Sequence, residues 1–182
     1  LYTNTTGERN SALGWKALFA NNGSNNTALG YIALSGNSTG NDNTATGFAA
    51  LAINTTGINN TALGSNALFI NSSGNDNTAV GFKALGTNTS ARENTALGSN
   101  VLFSNTTGSF NTAGGFNALY TNTSGYHNLA FGYRSLYSST IGNYNCVFGD
   151  DALYNSTVAS NNTANGYQAL YYNVAGSNAT AI

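Results

Sequence analysis

One seventeen-residue unit governs this chain. Residues 60–76 read NTALGSNALFINSSGND, and related copies begin at Asn10, Asn26, Asn43, Asn60, Asn77, Asn94, Asn111, Asn128, Asn145 and Asn162. The spacing is constant except that the first full copy is one residue short, and a truncated copy starts at Ala179. A fixed period of this length marks a repeat architecture, in which each unit buries its apolar face only against its neighbours. The whole chain, 1–182, is therefore read as a single repeat array.

With slots numbered from the leading Asn, slots one to four read N-T-A-L and slots twelve to fifteen read N-T/S-T/S-G. Slot nine is leucine throughout: Leu1, Leu18, Leu34, Leu51, Leu68, Leu85, Leu102, Leu119, Leu136, Leu153 and Leu170. These are the predicted structural core, with the alanines of slots three and eight. Slot five is glycine in all ten full copies: Gly14, Gly30, Gly47, Gly64, Gly81, Gly98, Gly115, Gly132, Gly149 and Gly166. Of 22 glycines, 19 occupy slots five and fifteen. Glycine serves where φ is positive or backbones approach closely, so two corners per coil are expected. Seventeen residues cannot hold two helices and two turns, but they hold two short strands at about 3.3 Å per residue. The expected fold is all-β: a parallel β-solenoid, or β-roll, of about ten 17-residue coils. Each coil is expected to carry two short strands, near slots one to four and eight to eleven.

Charge supports this partition. Only 6% of residues are charged, against about 25% in a typical soluble domain. All of them fall in slots six, seven, sixteen and seventeen, outside the predicted strands. The columns of Asn in slots one and twelve are expected to form amide ladders up the stack. Proline is absent, as suits a backbone whose N–H groups feed ladders. Slots six and ten are often aromatic, with Tyr2, Phe19, Phe69, Phe103, Tyr120, Tyr137, Tyr154 and Tyr171 in slot ten. So thin a roll has no room for them inside. They point instead to self-association, most simply a homotrimer about the long axis.

The net charge of −1 offers no basic field for nucleic acid, and no apolar run is long enough to cross a bilayer. The chain starts and stops in mid-repeat and lacks Met, so a segment of a longer fibre, or a filament subunit, is expected. Cys146 fills a slot usually held by Thr and reads as a small half-buried hydrophobe. His127 reads as a solvated corner residue. Asp150 and Asp151 are adjacent, and adjacent carboxylates rarely converge on a cation. No catalytic residue, cofactor or metal site is expected, and the chain is not read as an enzyme.

The unit NTALGxxALxxNTTGxxN resembles the repeats that precede the chaperone domain of bacterial and phage tail-fibre-like proteins. It is more distantly similar to the head repeats of trimeric autotransporter adhesins, whose core is a small-residue strand ending in A-I-G. Ala28–Leu29–Gly30 and Ala62–Leu63–Gly64 match that core. The period here is longer, and the N-T-T-G corner is added. The resemblance implies a left-handed parallel β-roll, three chains together, projecting from a cell or virion surface and attaching to a host-surface glycan or protein.

Two further features open other readings. Asn4, Asn37, Asn54, Asn71, Asn88, Asn105 and Asn122 each begin an N-x-S/T triplet in slot twelve. They are candidate glycan acceptors in a secretory setting, or else turn residues held by side-chain hydrogen bonds. The Thr column of slot two, interrupted at Leu129 and Cys146, is what an ice-binding β-solenoid would present. The alternatives to an adhesive fibre segment are therefore a self-assembling filament stacked end to end and an ice-binding solenoid.

Overall fold

The computed structural model describes residues 3–182; the slot-nine Leu1 and slot-ten Tyr2 lie outside the described residues. The chain is a β-solenoid of about ten turns, without helix among the described residues. Its strands, in chain order, are β1 (Ser11–Leu13), β2 (Thr27–Leu29), β3 (Thr44–Thr46), β4 (Ile53–Asn54), β5 (Thr61–Leu63), β6 (Ile70–Asn71) and β7 (Thr78–Val80). The rest are β8 (Thr95–Leu97), β9 (Thr112–Gly114), β10 (Leu129–Phe131), β11 (Cys146–Phe148), β12 (Thr163–Asn165) and β13 (Thr180–Ala181).

Eleven of these, all but β4 and β6, form one parallel sheet in which each coil contributes slots two to four. Register never slips: Ala28 faces Ala45, Ala45 faces Ala62, and Ala62 faces Ala79. The cause is the alternation within the strand. The slot-three Ala is buried while the residues on either side of it point outward, as in β2 and β5. A one-residue slip would bring Thr and Leu into the core and expel Ala.

The second expected strand needs correction. It survives only as the two-residue pair β4–β6, at slots eleven and twelve, and elsewhere the segment after the Gly corner is a sequence of turns. The reason lies in slots eight and nine. Ala67 and Leu68 are adjacent, and both are fully buried. An extended strand points consecutive side chains to opposite faces. Burying two in a row requires a kink, and the backbone supplies it by placing every described slot-nine Leu in the left-handed region, φ 48° at Leu68 and 50° at Leu85. Slot seven is left-handed as well, and so is the last slot before each leading Asn. Coils still bond to one another through these turns: Leu68 N donates to Ala84 O at 2.9 Å, and Asn66 N to Phe48 O at 2.8 Å.

The ten slot-five glycines all have φ between 117° and 138°. At Gly64 an added Cβ would sit 2.5 Å from the carbonyl oxygen of Gly81 in the next coil, so conformation and space both demand glycine. The core is thin: slot-three and slot-eight alanines with the slot-nine leucines. Nine of these leucines, from Leu18 to Leu153, are fully buried, and Leu170 in the last full coil packs against them only partly buried.

Polar ladders close the section on the other side. In slot one, Asn60 Nδ2 donates to Asn43 Oδ1 (3.1 Å) and to Gly74 O (2.8 Å), while Asn60 N also donates to Asn43 Oδ1 (3.0 Å). In slot twelve, Asn71 Nδ2 donates to Asn54 Oδ1 (2.9 Å) and to the same Gly74 O (2.8 Å). Both amide columns thus converge on the slot-fifteen carbonyl. In the regular middle of the rod every such amide is buried and bonded, as low-dielectric surroundings require.

Candidate interaction surface

What the coil buries fixes what it displays. Slots two and four flank the buried Ala and point away from the core, and slot six follows the glycine corner. Slot four lines the sheet with Leu13, Leu29, Leu63, Leu97 and Phe148, all exposed. Slot six adds Trp15, Tyr31, Phe48, Phe82, Phe116 and Tyr133, each 43–56% exposed. Their rings stack along the axis: Trp15 on Tyr31 at 4.7 Å, Tyr31 on Phe48 at 5.3 Å, and Phe116 on Tyr133 at 5.7 Å. The result is an apolar band that runs coil after coil beside the outward Thr column of slot two.

Slot ten carries a second, half-buried stack. Phe103, Tyr120, Tyr137, Tyr154 and Tyr171 form a continuous column with centroid spacings of 5.1–5.4 Å. The described aromatics of both slots lie outside the roll. Burial raises the Tyr137 phenol above its usual range, and the phenols of Tyr154 and Tyr120 on either side add to this.

Arg134 and Asp151, both in slot seven, form a bidentate pair at 2.8 and 2.9 Å. The Asp151 hydrogen bond raises the guanidinium further. Asp151 is buried, because Arg134 of the preceding coil covers it. Its neighbour Asp150 is turned the other way and accepts from Tyr133 N at 2.8 Å, so the two carboxylates do not converge.

The glycan-acceptor reading is overturned for the folded chain. Asn37, Asn54, Asn71, Asn88, Asn105 and Asn122 are fully buried, and each Nδ2 donates both to the preceding ladder member and to a slot-fifteen carbonyl. Asn4, partly buried, spends its Nδ2 on Gly7 O. A sugar on these nitrogens would displace a ladder bond and has no space. The triplets are turn chemistry.

His127 is exposed and stacked between Phe110 (4.7 Å) and Tyr144 (5.2 Å), and Cys146 is half-buried and unpaired. Among the described residues no three His, Cys, Asp or Glu side chains gather as a metal site, and no helix is long and apolar enough to cross a membrane. The Asn ladders were legible from the sequence. Their burial was not, because a lone coil gives no sign of which polar column faces inward. Comparison with family models, curated proteins and solved structures finds no match.

Proposed function

We propose that this chain is a structural and adhesive segment of an extracellular or virion-surface fibre, without catalysis, whose copies associate side by side. The carrying observation is the apolar band of slots four and six. It combines large exposed side chains with a register that repeats in every coil. Five residues at about 3.3 Å across and ten coils at about 4.8 Å along give a face of roughly 790 Å², close to the 800 Å² per partner of a stable interface. A second copy carries the same spacing, so it can match the band over its whole length. A homotrimer about the long axis is the simplest closed arrangement. A host-surface glycan or protein is the further partner that the resemblance to adhesive fibres suggests.

Light scattering tests this reading. The chain is expected at a discrete multiple of 18.7 kDa, most simply about three chains, and the variant carrying Leu63→Glu and Leu97→Glu is expected at one. A stable wild-type monomer would overturn lateral association. Long filaments that persist in the double variant would instead mean end-to-end stacking.

The Thr column favours a second reading. Thr27, Thr44 and Thr61 face outward on an unbroken parallel sheet, the regular hydroxyl array that ice binding uses. That reading predicts thermal hysteresis, lost on replacing these threonines by lysine.

A further inference from the structure

The slot-ten ring column is not continuous. Phe69 and Phe103 belong to coils two apart, and the coil between them carries Gly86 in a slot that is aromatic in most coils, Ser35 and Ala52 being the other exceptions. Adjacent strands in a sheet stack about 4.8 Å apart, so the backbones that carry the two phenylalanines stand about 10 Å apart along the axis. The structure has a cleft of about 220 Å³ there, lined by both rings, Gly86, Asn66 and Lys83. The Phe103 ring leans over Gly86 so closely that a Cβ on the glycine would lie 3.0 Å from two ring carbons. One wall of the cleft is therefore an aromatic face and its floor is backbone.

Lys83 stands at the rim. Its Nζ lies 5.1 Å from the Phe82 ring and 5.9 Å from the Phe103 ring, and no carboxylate pairs with it among the described residues. The equivalent slot-seven cation further along, Arg134, is neutralised by Asp151. The cleft thus combines a ring-free coil, two flanking rings and a cation without a carboxylate partner.

We propose that this cleft is a binding site for a small planar aromatic anion, one six-membered ring bearing a carboxylate. The ring lies in the cleft that Phe69, Gly86 and Phe103 line, and the carboxylate meets Lys83 Nζ. The volume sets the size limit, since an apolar cavity of about 150 Å³ already holds benzene. Stacking supplies part of the attraction, and the charge-assisted contact supplies the preference for an anion. The site lies on slots seven and ten and adjoins the band proposed to join copies only at Phe82, and it does not depend on that proposal.

The test is a fluorine NMR titration of the full chain with 4-fluorobenzoate. Saturable shift and broadening are expected with a Kd on the order of 1 mM, the range for a ligand this small. Gly86→Phe fills the cleft once the Phe103 ring swings back from the glycine, and is expected to weaken binding at least tenfold while the chain stays folded by circular dichroism. Phe103→Leu, which removes one wall, is expected to weaken it about fivefold. Lys83→Gln is expected to weaken 4-fluorobenzoate about tenfold while leaving neutral fluorobenzene unchanged. Absence of saturable binding by the wild type, or undiminished binding by folded Gly86→Phe, would overturn the site. Equal affinities of Lys83→Gln and wild type for 4-fluorobenzoate would overturn its assignment to an anion.

Discussion

At the scale of the residue, the repeat shows its own defects. Slot twelve is Asn from Asn37 to Asn122 and then becomes Ser139 and Ser156. The serine hydroxyl is too short to reach across coils, so Asn122 Oδ1, Ser139 Oγ and Ser156 Oγ are all buried without a partner. Ser139→Asn would extend the ladder by one rung. It is expected to stabilise the chain by about 1 kcal/mol in chemical denaturation, since an orphaned buried acceptor costs about that much or more. Slot seven has a different defect. It is left-handed in every coil, a conformation that suits Asn66, Asn100 and Asn117, but Ile32 holds it with φ 50°. A β-branched residue is strained there, so Ile32→Asn is expected to gain about 1 kcal/mol. A loss of stability in that variant would mean that packing by the half-buried isoleucine outweighs the backbone cost.

The element is the ladder, whether of amides or of rings. Asn60 bridges three coils: it bonds Asn43 before it, Gly74 O in its own coil, and both the backbone and side-chain nitrogens of Asn77 after it. Asn60→Ala strands several buried groups at once, and a loss of about 3 kcal/mol or more is expected, larger than for an exposed Asn such as Asn59. The ring column gives a pH signature. The Tyr137 phenol is raised from its ordinary 10.0, so folding favours the neutral form. That contribution is whole below the unfolded value and is lost as pH rises through the folded one. Thermal midpoints are expected to fall above about pH 10, less steeply in Tyr137→Phe than in the wild type. Identical slopes would show that the stack does not resist ionisation.

The same elements mark how far the sequence could be read. Strand position, the glycine corner and the outward aromatics followed from fixed spacing, because one face alternates with period two around Ala28, Ala45 and Ala62. The second strand did not, although the signal was present: Ala67 and Leu68 are consecutive apolar residues, which a strand cannot bury together. The Arg134–Asp151 pair and the Gly86 cleft depend on which side chains stand one coil apart. They become visible only once slots are stacked in register.

At the scale of the molecule, the chain has an interior made largely of alanine, leucine and bonded amides, only 6% of its residues are charged, and one ion pair forms among its described residues. Such a rod leaves its largest side chains outside, on a band that a second copy can match coil for coil. That lateral match is the central claim, and mass per unit length, from scattering of the wild-type chain, tests it most directly. Ten coils at about 4.8 Å make one chain about 50 Å long. Side-by-side association predicts two or more times 18.7 kDa in each 50 Å of rod, about three times for the trimer. A value of 18.7 kDa per 50 Å, in single rods or in long filaments, would contradict it and leave the apolar band without a partner of its own kind.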